Sequence, residues 1–220
     1  TDNGLTGFGS AAPTAVITGE TSASIVAAID HIGSVVAGME ISNHENIFQA
    51  LNKCIVGNFS AKAAVDMAVY DLLAQSFGVP LFNLLGGIAN NVLTDITISL
   101  GDAETMAEES RRKINEGFRT LKIKVGGDPE TDIARLEAIS DAIEGRGVLR
   151  IDANQGWTGK QAVWVAQELR KRNIAIELME QPVSAQNYDE LKYVKNQCPF
   201  PVYADESVFT EANALALVRM

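Results

Sequence analysis

The sequence predicts an α/β fold built on a parallel sheet, and three observations predict it. From about Val92 onward, strand-like runs alternate with helix-like runs five times in succession. Parallel neighbours need a long crossover between them, and a stretch of helical spacing follows each run here. The strand-like runs also lose their apolar character near their C-terminal ends. A sheet covered on both faces has no reason to carry charge there unless those ends do chemistry.

The first ninety residues have mixed texture. Asn3-Gly4 is a turn signal between short strand-like runs, so "TDNGLTGFG" reads as a strand and hairpin. "GFGSAA" fits a loose dinucleotide-binding fingerprint, but Pro13 and the β-like "TAVIT" follow where a helix should begin, which makes it a turn. "SASIVAAIDHIGSVVAGM" and "SAKAAVDMAVYDLLAQSFG" have helical spacing, with Ser60 the expected N-cap of the second and Gly78 its stop. His31 and His44 fall in or near the first of these and are assigned to surface or packing roles. "VPLFNLLGG" is a connector.

The alternation then begins. "VLTDITISL" is a strand and "AETMAEESRRKINEG" an amphipathic helix ending at Gly117. "TLKIKV" and "PETDIARLEAISDAIEG" form the second pair, and "VLRIDAN" with "TGKQAVWVAQELRKR", capped by Thr158, the third. "IAIELMEQP" with "YDELKYVKNQ" and "PVYADES" with "TEANALALV" complete the series. A doubly wound sheet and an eight-fold barrel both satisfy this order, each with right-handed crossovers.

Bulk properties narrow the function. The net charge of −10 disfavours a nucleic-acid partner, and no basic tract offsets it. No apolar run approaches the roughly 20 residues of a membrane span. Cys54 and Cys198 are too few for a disulfide framework or a zinc site, so they read as reduced thiols in a cytoplasmic protein. Both ends read as interior to a longer protein, the first within a strand pattern and the last within a helical one.

The polar residues on the strands carry the chemistry. Asp152, Glu180 and Asp205 end the third, fourth and fifth strands, spaced 28 and 25 residues apart, about one strand-helix unit each. Equivalent ends of neighbouring strands meet in space, and carboxylates pressed together repel unless a cation sits among them. Hard oxygen donors without His or Cys suit Mg²⁺, or Mn²⁺. Each acid taken singly also fits a helix cap. Lys122 and Lys124 alternate with Leu121, Ile123 and Val125, so both ammonium groups share one face. If that face is interior, mutual repulsion and burial push a lysine pKa down, towards a usable general base. Ion pairing with the acids is the competing role. Thr97 and Ser99 share a face of the first strand.

The motifs "LKIKVGGD", "RIDANQGW", "ELMEQPV" and "YADESVF" resemble the muconate-lactonizing branch of the enolase superfamily, and most of all its dipeptide epimerases of the L-Ala-D/L-Glu type. The likeness extends to "PTAVITGET", "AKAAVDMAVYDLLAQSFGVPLFNLLGG" and "TDITISL". It implies a modified TIM-type (β/α) barrel preceded by an α+β capping domain, with residues 1–90 part of the cap and 91–220 the first five strands of the barrel. It implies Mg²⁺ on Asp152, Glu180 and Asp205, an acid/base role for Lys124, and contact of Lys122 with the substrate carboxylate. Thr97 matches a substrate-contacting position and Asn154 a polar one beside the metal. The implied reaction is 1,1-proton transfer next to a carboxylate, on a small substrate such as a dipeptide, in a cytoplasmic homo-oligomer. An opposing lysine and an acidic eighth-strand motif would follow Met220. Muconate cycloisomerase, o-succinylbenzoate synthase and N-acylamino acid racemase activities reuse the same residues, and a non-catalytic binding protein is the alternative outside enzymes.

Overall fold

The computed structural model describes residues 1–89 and 91–220. The chain divides into two compact units, Thr1–Val92 and Leu93–Met220. The expected boundary at Asn90 lies outside the described residues.

Unit one is helical: α1 (Ser22–Val36), a 3-10 turn (Ile41–Asn43), α2 (His44–Cys54), α3 (Phe59–Phe77) and α4 (Leu81–Leu84). A capping box starts α1, Thr21 and Ser24 each binding the other's backbone N–H at 3.2 and 2.9 Å. Ile25, Ala28 and Ile32, spaced one helical turn apart, bury against Leu51 of α2 and Ala61 of α3. The start of α2 carries little sequence signal, since Asn43 makes no side-chain cap bond.

Two expectations are corrected here. The predicted strand and hairpin do not form: Asn3-Gly4 does turn, with Gly4 at φ +84°, but the flanks are not strands. A strand requires a second strand to accept its backbone bonds, and none is present among the described residues of this unit. "GFGSAA" runs as coil along α3, and Gly7 and Gly9 permit its close approach. A Cβ on Gly9 would lie 1.8 Å from the Ala64 carbonyl oxygen.

Ser60 is not the N-cap of α3. The cap is Asn58, in a left-handed conformation with no side-chain bond to the helix. Buried Glu20 caps from outside, its Oε2 accepting from the Ser60 N–H at 3.1 Å and the Ser60 hydroxyl at 2.6 Å. A carboxylate at a helix N-terminus satisfies free N–H groups and the positive end of the dipole together. Gly78, at φ +65°, ends the helix as expected.

A paired stability test follows from the glycines. Gly9→Ala is expected to destabilise by about 1–3 kcal/mol, because backbone must shift to admit one methyl. Gly33→Ala, inside α1 with nothing within 4 Å, is expected to stabilise by about 0.5–1 kcal/mol. Denaturant midpoints moving in opposite directions check both.

Unit two holds β1 (Ile96–Ile98), α5 (Ala103–Asn115), β2 (Thr120–Lys124), α6 (Pro129–Ile143), β3 (Val148–Asp152), α7 (Gly159–Lys171), β4 (Ile176–Glu180), α8 (Tyr188–Gln197), β5 (Val202–Tyr203) and α9 (Glu211–Val218). The five strands are parallel and lie in sequence order, β1-β2-β3-β4-β5. A doubly wound sheet reverses its order at a switch point, and this one does not. Asp102, Asp128, Thr158 and Thr210 cap α5, α6, α7 and α9 by accepting backbone N–H bonds.

Alternation sorts the two faces of the sheet. Leu121 and Ile123, Leu149 and Ile151, and Met179 pack into a core with Leu136, Ile139, Val165 and Leu169 from the helices. The other face carries Lys122 and Lys124, Arg150 and Asp152, and Glu180. Register would fail at β4 without a correction. Leu149 pairs with Ile176 but Arg150 pairs with Leu178, so Glu177 is an extra residue in a bulge. The bulge aligns Glu180, rather than Met179, with Asp152, which itself aligns with Lys124.

Candidate active site

The site is built where β2, β3 and β4 end. Lys124 and Asp152 are cross-strand partners, as are Asp152 and Glu180, so consecutive strands deliver their last residues to one line. Lys124 Nζ donates to Asp152 Oδ2 at 2.7 Å and to Asn154 Oδ1 at 2.6 Å. Lys122 Nζ lies 2.7 Å from Glu180 Oε1 and 3.0 Å from Asp152 Oδ2, bridging the two acids. Asp152 is fully buried, and its Oδ1 accepts from the Asn154 N–H at 3.0 Å. Thr97 pairs with Lys122 in the register of β1 and β2. Thr97, Ser99, Lys124, Gly127 and Asn154 line a cleft of about 420 Å³.

Asp205 sits two residues beyond β5, further along than a strand-end position. Its backbone N–H donates to Gln181 Oε1 at 2.8 Å, while its carboxylate accepts no hydrogen bond among the described residues. As placed, no three acidic, histidine or cysteine side chains among the described residues are grouped closely enough to hold a metal ion. The structure therefore brings Lys122, Lys124, Asp152, Asn154 and Glu180 into direct contact, leaves Thr97 on the adjoining wall, and sets Asp205 apart at the edge.

The charges respond to this arrangement. For Asp152, burial pushes the carboxyl up, but hydrogen bonds from Lys124, Lys122 and the Asn154 N–H hold it below the ordinary aspartate value. Glu180 is pushed up by burial and by Asp152 and Asp205, against the pull of Lys122. Asp205 is raised by burial and by Glu206 and Asp152. One expectation is overturned for Lys122. Burial is the largest single influence and lowers its pKa, yet bonds and charges from Glu180 and Asp152 together carry it above the ordinary lysine value. Close carboxylates outweigh burial.

Two residues that the sequence motifs did not single out hold this site together. Gln181, fully buried, accepts at Oε1 from the N–H groups of Asp205 and Ser207 at 2.8 and 3.2 Å, and donates to Ser207 Oγ at 2.8 Å. Glu206 accepts from Asn154 Nδ2 at 3.1 Å through Oε1, while its buried Oε2 has no partner among the described residues. Their signal was adjacency, since each directly follows one of the singled-out acids. Asn154, Gln155 and Gln181 have φ of +41°, +70° and +35°. Such backbone costs on the order of 1–3 kcal/mol per residue and concentrates at functional sites.

The donors fit a hard divalent cation chemically. They are carboxylate oxygens, two of them raised by burial and by neighbouring carboxylates, with an unpaired Glu206 oxygen beside Asp205 among the described residues.

Comparison with known proteins agrees with this picture. Residues 1–86 match the family described as mandelate racemase/muconate lactonizing enzyme, N-terminal domain, and residues 105–220 match "Enolase C-terminal domain-like". The chain is 48% identical to the L-Ala-D/L-Glu epimerase of Clostridium acetobutylicum over 221 residues, covering 100% of this chain and 62% of that protein. Among solved structures, it is similar to the substrate-liganded L-Ala-D/L-Glu epimerase of Bacillus subtilis, with a TM-score of 0.97 and 42% identity, covering 99% of this chain and 61% of that one. It is also similar to the dipeptide epimerase of Enterococcus faecalis complexed with Mg and L-Leu-L-Tyr, with a TM-score of 0.96 and 43% identity, covering 100% and 61%. The chain thus spans about three fifths of the length of these relatives. With family descriptions matching in both of its compact units, the chain belongs to the mandelate racemase/muconate lactonizing enzyme family of the enolase superfamily.

Proposed function

We propose that the protein containing this chain is a Mg²⁺-dependent dipeptide epimerase of the L-Ala-D/L-Glu type. The observation that carries the reading is the pairing of Lys124 and Lys122 with Asp152, Asn154 and Glu180 along one line of strand ends, beside an open cleft. Relatives described as acting on dipeptides favour that substrate class over muconates, succinylbenzoates or N-acylamino acids. In this reading residues 1–90 form part of an α+β capping domain and residues 91–220 the first five strands of a TIM-type barrel. The unreversed strand order supports the barrel. A cytoplasmic homo-oligomer remains the setting we infer.

Asp152, Glu180 and Asp205 are the residues we assign to Mg²⁺, with Mn²⁺ as a substitute. When bound, the metal supplies Lewis-acid stabilisation of the negative charge that develops on the substrate carboxylate as the α-proton leaves. The two lysines divide the remaining work. Lys122 is tethered between two carboxylates and held charged, which suits a fixed electrostatic partner for the substrate carboxylate. Lys124, at the rim of the cleft, exchanges the α-proton on one face. Asn154 and Thr97 orient the substrate. Return of a proton to the other face, by a group outside residues 1–220, inverts the centre.

The test uses the full-length protein in D₂O with Mg²⁺ and L-Ala-L-Glu or L-Ala-D-Glu. Deuterium is expected at the glutamate α-carbon, followed by the epimer, with both lost on metal removal. Exchange confined to an N-acylamino acid, or absent from every dipeptide offered, would overturn the reading.

A further inference from the structure

Asp132 is a fully buried acid that the proposed chemistry does not use. It lies in the first turn of α6, on the same stripe as Leu136, Ile139 and Ile143. Its Oδ2 accepts from the N–H groups of Gly126 and Gly127 at 3.0 and 2.8 Å and from Trp157 Nε1 at 3.2 Å. Its Oδ1 accepts from Arg135 Nη1 at 2.8 Å, and Arg135 Nε donates onward to the Gly101 carbonyl at 2.7 Å. Gly126 and Gly127 lie in the loop leaving β2 and Trp157 in the one leaving β3, while Arg135, on α6 itself, reaches Gly101 in the loop leaving β1. One carboxylate and one guanidinium therefore join the exits of the three strands that carry Thr97, Lys124 and Asp152.

The loops are also in backbone contact. Gly126 has φ +103°, and a Cβ there would lie 2.2 Å from the Ala153 carbonyl oxygen. A Cβ on Gly156 would lie 2.1 Å from the Gly126 carbonyl oxygen. Gly126 is two residues from Lys124, and Ala153 joins Asp152 to Asn154. Glycine allows this approach but, having no side chain, cannot fix it. Asp132 supplies the fixing bonds, from a site that water does not reach.

We propose that Asp132 is a positioning residue for Lys124. By clamping the N–H groups of Gly126 and Gly127 and the Trp157 indole, it holds the exit of β2 against the exit of β3, and so holds the lysine against Asp152, Asn154 and the substrate. A merely structural acid would lower stability when replaced and leave turnover by the folded protein alone. A positioning acid controls turnover, because misplacing a reacting group by about 1 Å can cost on the order of a hundredfold in rate.

The proposal rests on the proton-transfer reading for its kinetic arm only. Asp132→Asn keeps the shape but turns an amide N–H₂ towards three donors or the arginine. Trp157→Phe removes a single donor and keeps the aromatic packing, so it is the variant to use if the first does not fold. In the full-length protein, amide exchange in residues 125–128 and 153–157 is expected to quicken about tenfold or more in Asp132→Asn, with the strand cores of β3 and β4 unchanged. The turnover number is expected to fall about 10- to 100-fold, with KM and the Mg²⁺ requirement within about threefold of wild type. Trp157→Phe should shift both in the same direction by less. Wild-type turnover together with a lowered thermal midpoint overturns the proposal, as does unchanged exchange in both loops. If the wild-type protein moves no α-proton on any substrate, the functional reading fails, and the exchange arm alone decides on Asp132.

Discussion

Lys124→Ala in the full-length protein is expected to slow α-proton exchange by about 10²- to 10⁴-fold, the range a positioned acid/base supplies. Stability should hardly change. The Lys124 side chain is 31% exposed, and Asp152 keeps the Lys122 ammonium at 3.0 Å and the Asn154 N–H at 3.0 Å after its removal. Lys124→Arg is the sharper control. It preserves the positive charge beside Asp152 and Asn154, yet a guanidinium does not give up its proton in the working range, so exchange should remain as low as in the alanine variant. The measurement is deuterium uptake at the α-carbon by NMR, with circular dichroism for folding. An arginine variant that exchanges at the wild-type rate would show that Lys124 contributes charge rather than proton transfer.

Asp152→Ala is the second large effect and differs in kind, because stability falls with function. Its carboxylate is fully buried and serves both lysines. Removing one partner of a buried ion pair costs about 3–5 kcal/mol, and the partial exposure of the two ammonium groups reduces this to about 2–3 kcal/mol. Turnover should drop at least about 10³-fold, since the change removes an acid assigned to the metal as well as the group that orients both lysines. Titration calorimetry with Mg²⁺ and a thermal melt read the two losses separately.

The pH behaviour of the metal-free protein follows from the same groups. The folded carboxyl of Asp152 lies below its ordinary 3.8, so its contribution is complete above that value and is lost as pH falls through the lower folded one. Glu180 and Asp205 are raised and act oppositely. Their cost is complete above their folded values and is relieved as pH falls towards the ordinary values of 4.5 and 3.8. Metal-free protein should therefore gain stability on mild acidification before losing it, and Asp152→Ala should lack the loss attributable to that carboxyl. Melting temperatures across pH 3–8 test the sign.

Much of the site could be read from the sequence because period-two alternation is unambiguous on a short strand. Once Leu121 and Ile123 are inward against helices, Lys122 and Lys124 must face the other way, and the same holds for Arg150 and Asp152. Helix starts were legible where the cap bonds its own helix, as with Thr158. They were not legible where the cap comes from elsewhere in the chain, and Glu20 takes at α3 the place that Ser60 was expected to fill. The strand and hairpin expected at the N-terminus failed because a strand depends on its neighbour, which local pattern does not supply. The lowered lysine pKa failed for Lys122 because its sign depends on ångström-scale distances to Glu180 and Asp152, and no spacing along a chain fixes those. Asp132 was half legible: its place on the buried stripe of α6 can be read, but its partners on the loops leaving β2 and β3 cannot.

The additional residue in β4 has a consequence for how this protein tolerates change. Deleting Glu177 alone would remove no group of the catalytic line and only one partner of Arg150. It would leave Ile176, Leu178, Met179 and Glu180 opposite Leu149, Arg150, Ile151 and Asp152 in unbroken order, so the ladder closes without the bulge and the Glu180 carboxylate keeps its place. One lost codon there should therefore be borne more easily than one gained: a residue added after Leu178 would set the Met179 thioether opposite Asp152 and turn the Glu180 carboxylate into the oily layer beneath the sheet.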